Sequence, residues 1–393
     1  MEIIIFRKNE IDYTLFTNQR LLVYDVIVKN QEYGNYIDLD ATKCKIDLLD
    51  KNSEKLRRAA AKYLNEYELI KVLCKKNVIS RAYFKLYEII YNEKIICNDR
   101  LNCFFICEAP GGFIECIQDI RRKKNKSMDY ISISKYDPSI TYDRYLEETN
   151  LHYGDVTNIH DINKMICATI SKFPNGVDLI TADGGFDVKI YNGQEIVTSK
   201  LLLCEIYLAL KTQRQDGLFI IKFFDMFTHN SIMYFMILCC FYEYVKIIKP
   251  KTSRNCNSER YLVCCNFIGM DKWTKWHEDI LEKIKSIIIT FKAQSTIVFP
   301  DVVPPIELKN KIKLFNNLIV YEQIKTINES IKMVHSKDFY FNNLLLKIFL
   351  EKKVDSLQSI IQFKNILYIR INKCIQFLKN FNINTQQFIF NKM

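Results

Sequence analysis

Six short segments of this 393-residue sequence carry residue types whose placement suits chemistry at a bound ligand. The strongest is CEAPGGFIE, Cys107 to Glu115, which follows an apolar run and precedes a helical one. Adjacent glycines at a strand-to-helix turn let a backbone approach a ligand closely, and the helix N-terminus beyond offers free amides to a carboxylate or phosphate. Glu108, Pro110, Gly111, Gly112 and Phe113 are therefore candidate cofactor contacts, although a tight turn with no ligand is the competing reading. The segment lacks GxGxxG spacing, which disfavours a nicotinamide or flavin. Asp155 in YGDVTN and Asp183 in DLITADGGF stand after apolar runs, where open parallel sheets bind ligands, and the glycines after Asp183 leave space for a substrate. A lone aspartate there is otherwise a helix cap. Lys222 lies within GLFIIKFFD, and a lysine is rarely buried without a partner or a task. Burial and a nearby cation lower an amine from about 10.4 toward a useful general base. Taken singly, Lys222 also reads as a lysine snorkelling from a strand end, Glu259 in SRNCNSERYLVCCNF as a turn residue, and Lys85 in SRAYFKLYEI as an ordinary exposed lysine.

The elements that must position these residues follow from periodicity. From Asn102 to Phe267 short β-rich runs alternate with helical ones, the pattern of a parallel sheet with crossover helices. Seven strands are expected: Cys103–Cys107, Tyr130–Ser134, Leu151–Tyr153, Asp178–Ala182, Leu218–Phe223, Tyr244–Ile248 and Tyr261–Phe267. Gln194–Thr212 reads as a helix with Ile196, Leu203, Ile206 and Leu210 on one face, and Ile232–Tyr242 as a buried helix leading into a strand. Ahead of this core, helices are expected over Ser53–Cys74, with Ser53 as N-cap, and from Ser80 to about Tyr91, both packing on the sheet. The first fifty residues look β-rich, with turn signals at Asn30 and Gly34. After Gly269 the texture changes to amphipathic helices, broken at Phe299–Pro305 by three prolines within six residues. The resulting division is an N-terminal extension (1–75), a catalytic domain (76–270) and a basic helical region (271–393).

Composition narrows the class. Nearly half the residues are apolar and 13% aromatic, which argues for a folded chain. The fourteen cysteines fall mostly in apolar runs without zinc-ligand spacing, so they read as reduced core residues and no metal site is expected. The longest apolar run, Ile232–Tyr242, has eleven residues, short of the ~20 that a membrane-spanning helix needs. No signal peptide is evident, since Arg7, Lys8 and Glu10 interrupt the opening MEIIIF. An intracellular, reducing location is expected, either the cytoplasm or a virion. Residues 1–270 carry 37 Lys and Arg against 34 Asp and Glu, and residues 271–393 carry 19 against 11. A basic tail beside a near-neutral core suits a polyanionic partner, while an AT-rich genome also produces lysine-rich sequence.

Together, five motifs in order resemble the FtsJ-like (RrmJ-like) ribose 2′-O-methyltransferases. SRAYFKL is similar to the family's SRAxxKL helix, CEAPGGF to its methionine loop, DLITADGG to its Asp-bearing strand, GLFIIKFF to its lysine strand, and SRNCNSERYLV to its SRxxSxExYxV ending. The resemblance spans about Ser80 to Phe267, roughly half the chain. The form CEAPGGF is similar to messenger-RNA cap methyltransferases of eukaryotes and of large cytoplasmic DNA viruses.

The resemblance implies an α/β, Rossmann-like fold with a seven-stranded, mostly parallel sheet, and S-adenosyl-L-methionine as cofactor. It implies a Lys85, Asp183, Lys222, Glu259 tetrad, in which Lys222 takes the ribose 2′-hydroxyl proton, Asp183 orients it and Lys85 with Glu259 complete the site. RNA, in particular capped mRNA, is the implied substrate, and other capping or transcription proteins are expected partners of residues 271–393. Two departures stand out. Phe105 occupies a position where many relatives have Asp, so Glu108 is expected to compensate, and the second strand's ISISKYD offers Lys135 before Asp137 where an acidic ribose clamp is usual. Ribosomal or transfer RNA ribose methylation, and an inactive RNA-binding subunit on the same fold, remain open alternatives. If the basic tail only guides RNA, deleting residues 271–393 leaves the catalytic rate intact.

Overall fold

The structure is a computed structural model that describes residues 2–7, 29–91, 93, 98–138, 142, 146–185, 193–292, 296–334 and 364–384. All seven expected strands form, and an eighth joins them. In chain order they are β1 (Glu2–Arg7), β2 (Arg100–Ile106), β3 (Ser127–Ser134), β4 (Leu151–Tyr153), β5 (Val177–Ala182), β6 (Gln213–Phe223), β7 (Tyr242–Lys249) and β8 (Arg260–Phe267). One sheet holds them in the order β1-β7-β8-β6-β5-β2-β3-β4. The β4-β3-β2-β5-β6 half is parallel, whereas β8 runs antiparallel to β6 and β7, and β1 antiparallel to β7. The order reverses between β2 and β5, so the loops leaving those two strands diverge and open a crevice at their carboxyl ends. CEAPGG and DGG are those loops.

Eleven helices are described: α1 (Tyr36–Asp47), α2 (Lys51–Leu64), α3 (Ile70–Leu73), α4 (Ala82–Ile90), α5 (Gly112–Lys123), α6 (Ile159–Lys172), α7 (Gln194–Thr212), α8 (His229–Phe241), α9 (Lys275–Thr290), α10 (Ile306–Val334) and α11 (Lys364–Asn380). They cover both faces of the sheet, which is why strands such as VDLITA are apolar nearly throughout. Alternate residues go to opposite sides. Phe104, Ile106, Ile180, Phe219 and Ile221 face a core built with α6 to α10. Cys103, Phe105, Leu179 and Ile220 face a second core built with α4, α5 and α11. Helix α8, NSIMYFMILCCF after its first residue, is buried all round, as a helix without a polar face must be. Its first turn is held by Glu195 of α7, whose Oε1 accepts from Phe227 N, Thr228 N, Thr228 Oγ1 and Ser231 Oγ at 2.7–2.9 Å.

Three expectations are corrected. Within the first fifty residues, 36–47 is helical, because Leu39, Thr42, Lys43 and Ile46 bury at helical spacing and the Asn35 side chain caps the first turn. Asp50, not Ser53, caps α2, accepting from Asn52 N and Ser53 N at 2.8 and 2.9 Å. That helix ends at Leu64, and α3 is a separate turn. The tail, finally, is no detachable appendage. Ile280, Ile284 and Ile288 of α9 and Leu308, Ile312 and Phe315 of α10 belong to the same buried cluster as β5, β6 and α8. The proline break lies between these two helices. Among the amphipathic segments expected after Gly269, Leu344–Phe349 lies outside the described residues and Ile360–Ile369 overlaps the start of α11.

Candidate active site

Lys222 and Asp183 meet because β5 and β6 are parallel neighbours. Asp183 directly follows β5, and Lys222 sits one residue before the end of β6. Lys222 Nζ donates to the Asp183 carbonyl oxygen at 2.6 Å and lies 3.2 Å from its Oδ1. Its amine also lies 5.7 Å from the centre of the Phe224 ring. On the other side of β6, strand β8 puts Tyr261 opposite Lys222, and the Tyr261 hydroxyl donates to Asp183 Oδ1 at 2.9 Å. Two residues before Tyr261, Glu259 lies one residue outside β8. Its Oε2 accepts from Lys85 Nζ of α4 at 2.7 Å, and its Oε1 from Ser253 Oγ at 2.7 Å. Two lysine–carboxylate pairs thus share one depression, and all four residues of the sequence-derived tetrad are brought together.

The electrostatics differ from the sequence expectation at one point. Burial works to lower Lys222, but Asp183, Glu259 and Glu205 outweigh it and hold the amine above its ordinary value. The resting lysine is charged. Burial likewise works to raise Glu259, while Lys85, Lys222 and Lys249 outweigh it and hold this carboxyl well below the usual carboxylate range. Glu108 goes the other way: burial, reinforced by Asp183, holds it well above that range.

The candidate cofactor residues divide. Glu108 is buried and accepts from Thr181 Oγ1 at 3.1 Å. The Ala109–Pro110 peptide is cis, and Gly111 sits at φ 109°, a left-handed conformation suited to glycine. Gly111 has no side chain of its own to cap α5, and Glu108 accepts from the Phe113 amide in the first turn, so the neighbouring first-turn amides of Gly112 and Ile114 are the ones a cofactor carboxylate would meet. The residues present therefore fit the amino-acid end of S-adenosyl-L-methionine. Gly112 does something else: a Cβ there would collide with Ser80 Oγ, so its smallness lets α5 pack against the turn that begins α4. Similarly, a Cβ on Gly184 would strike Glu205, and only Gly185 faces Lys222, at 3.3 Å from its Nζ. Phe113 is fully buried near the Tyr261 ring, and Phe105 is buried against Tyr130. Asp155 stands at the end of β4, away from the tetrad's contacts. Its carboxylate is taken up by Thr157 N, Thr157 Oγ1 and Lys135 Nζ at 2.7–2.9 Å.

Sequence reasoning missed Tyr261, Ser253 and Lys249. Tyr261 was recoverable, since it lies two residues after Glu259 on a strand. The other two act through a turn whose path is a tertiary property. Beside this turn a cavity of about 820 Å³ opens between α1, α2 and α10. Lys43, Arg57, Arg58, Lys62 and Arg254 line it, against the carboxylates Asp47 and Glu54, and Asn257 and Ser258 bring it next to Glu259. Among the described residues no group of His, Cys, Asp and Glu could hold a metal ion, and no helix is long and apolar enough to cross a membrane.

Residues 78–267 match the model of the FtsJ-like methyltransferases. A cap-specific mRNA (nucleoside-2′-O-)-methyltransferase 2 from Drosophila melanogaster is 27% identical over 249 residues, covering 58% of this chain and 34% of that protein. A cap-specific mRNA (nucleoside-2′-O-)-methyltransferase 1 from Ailuropoda melanoleuca is 33% identical over 300 residues, covering 66% of this chain and 34% of that protein. The chain spans about a third of the length of these curated relatives. Among solved structures, a ribosomal RNA methyltransferase from Plasmodium falciparum is 21% identical with a TM-score of 0.40, covering 48% of this chain and 98% of that one.

Proposed function

We infer that this chain, whose residues 78–267 belong to the FtsJ-like methyltransferase family, transfers a methyl group from S-adenosyl-L-methionine to a ribose 2′-hydroxyl at the capped end of mRNA. The observation that carries the reading is the double pair, Lys222 on Asp183 and Lys85 on Glu259, set at the crevice where the strand order reverses. Methyl transfer is an in-line displacement at a sulfonium carbon, so a protein contributes alignment and removal of the hydroxyl proton. The bound cofactor supplies the electrophilic methyl group. Lys222 is the base, Asp183 fixes it through carbonyl and carboxylate together, and Tyr261 holds that carboxylate in turn. Because Lys222 rests in its charged form, the reactive amine is a minor population near neutral pH. Lys85 and Glu259 neutralise each other at the far wall and offer a donor and an acceptor to the ribose.

Support for a capped RNA comes from the cavity beside Glu259, which has room for nucleotides, and from the names of the relatives, while its cations Lys43, Arg57, Arg58 and Arg254 are engaged by Asp225, Glu54 and Glu68. A reducing compartment, the cytoplasm or a virion, fits the described cysteines, most of which are buried as core residues. The exposed face of α10, with Leu314, Leu318 and Tyr321, is where other capping or transcription proteins would dock. The deciding experiment incubates the protein with labelled cofactor and capped, uncapped and ribosomal transcripts, then maps the methylated ribose. Label on the first nucleotides of capped transcripts is expected. Label on ribosomal RNA alone would reassign the substrate, and cofactor binding without transfer to any RNA would leave an RNA-binding subunit.

A further inference from the structure

The ten residues between β7 and β8, Pro250 to Glu259, form turns, and side chains satisfy much of their backbone. Glu88 of α4 accepts from Lys251 N, Thr252 N and Thr252 Oγ1 at 3.0–3.3 Å. Arg81 donates to Thr252 O at 3.0 Å, and Gln323 of α10 to Cys256 O at 3.3 Å. The last two residues of consequence, Asn257 and Glu259, are held by one group. Lys249, the final residue of β7, donates from Nζ to Asn257 O and Asn257 Oδ1 at 2.8 Å each, and to Glu259 O at 2.6 Å. Its side chain is buried, and all three acceptors are uncharged.

A buried ammonium whose direct partners are neutral is costly. Burial brings this amine down to about 7, with Glu259 and Cys256 working to raise it and Arg260 and Lys85 to lower it. An apolar residue would avoid that cost, but would leave three acceptors unmatched and the turn untied. Three tetrahedrally disposed donors on one nitrogen suit the task, because they bind residues two positions apart and so set the direction in which the Glu259 side chain leaves the backbone. That direction decides whether Oε1 reaches Ser253 and Oε2 reaches Lys85. Neither a sheet hydrogen bond nor a helix performs this function for Glu259, which lies one residue outside β8.

We propose that Lys249 is a positioning residue of the methyl-transfer site, which clamps the Asn257–Glu259 turn so that the Glu259 carboxylate meets Lys85 beside Lys222. It touches no reacting atom and acts through Glu259. The proposal rests on reading the tetrad as the methyl-transfer site.

Lys249→Met keeps the length of the side chain and removes its donors. Displacing a site group by about 1 Å costs on the order of a hundredfold in rate, so kcat falls ten- to a hundredfold. The calorimetric Kd for S-adenosyl-L-methionine stays within threefold, because Gly111 and α5 follow β2, which β8, β6 and β5 separate from β7. Lys249→Arg, which keeps charge and donors, recovers at least a tenth of the wild-type kcat. A crystal structure of Lys249→Met shows Glu259 parted from Lys85. Unchanged kcat in Lys249→Met, or Glu259 still seated on Lys85, overturns the proposal. So does a parallel loss of kcat, cofactor affinity and melting temperature that Lys249→Arg does not relieve, since that pattern marks a merely structural lysine. If Lys249→Met does not fold, Asn257→Ala decides, because it removes one acceptor at the cavity wall: lowered kcat with unchanged cofactor affinity supports the clamp, and unchanged kcat refutes it. A wild type that methylates no RNA would defeat the functional reading instead, and the position of Glu259 in the variant crystals would still judge Lys249.

Discussion

Asn316 of α10 is the point at which the C-terminal helices grip the catalytic sheet, and replacing it tests how far the two are one structure. Its Nδ2 donates to Tyr33 O at 2.6 Å and Met226 O at 2.9 Å, and its Oδ1 accepts from the Arg260 guanidinium. Arg260 is fully buried, adjoins Glu259, and is otherwise balanced by Asp225 at 3.6 Å, which Lys43 also engages at 2.8 Å. Asn316→Leu preserves bulk but strands two carbonyls and part of a buried cation. Each such group costs about 1–3 kcal/mol, so the three together cost about 3–9 kcal/mol, a large share of a stability of about 5–15 kcal/mol. In urea titrations followed by circular dichroism the midpoint should fall accordingly, with a melting temperature about 5–10 °C lower. Leu318→Ala on the exposed side of the same helix should change stability by under about 0.5 kcal/mol. By the same logic a chain lacking residues 271–393 should be insoluble. Asn316→Leu within 1 kcal/mol of wild type, or a soluble and active fragment 1–270, would refute the reasoning.

Three further outcomes follow from the site. Lys222→Ala should abolish transfer while cofactor affinity stays within a few-fold, and wild-type kcat should climb through pH 9 without a plateau near 7, because Asp183 and Glu259 hold the amine above its ordinary value; a plateau below pH 8 would exclude Lys222 as the base. Gly112→Ala should both weaken cofactor binding and lower the melting temperature, since the added Cβ meets Ser80 and pushes α5 from the helix bearing Lys85; loss of binding at unchanged stability would show a role for the cofactor alone. Burial pushes Glu205 up to about 8 from 4.5, so the fold keeps a proton that the unfolded chain releases between those values. That contribution is complete below about 4.5 and is lost as pH rises through 8, so Glu205→Gln should match wild type at pH 4.5 and exceed it at pH 9 by on the order of a few kcal/mol. Denaturant midpoints showing the gain at acid pH instead would reverse the sign and reject the assignment.

Local rules made much of this molecule readable in advance. The seven core strands, the full extent of α7 and the tetrad positions were visible because strand alternation, helical spacing and ordered motifs are properties of adjacent residues. What adjacency does not encode was settled by packing. Strands covered on both faces are apolar throughout, so nothing local told which side of VDLITA faces α7 and which faces α5. The glycine pairs looked alike in sequence, yet Gly111 adopts a left-handed turn while Gly112 and Gly184 are small because Ser80 and Glu205 lie against them. Lys222 was expected to lose its proton readily, but a pKa is the sum of every charge around it, and three carboxylates distant in sequence outweigh burial. The tail's role turned on the same physics: its lysines suggested a surface for RNA, whereas Asn316 and the apolar faces of α9 and α10 are bound into the core that carries Glu259. Composition and spacing thus determined the fold class, the ordered motifs and their family resemblance pointed to which side chains meet, and the three-dimensional field of charges and contacts decided how each of them is held.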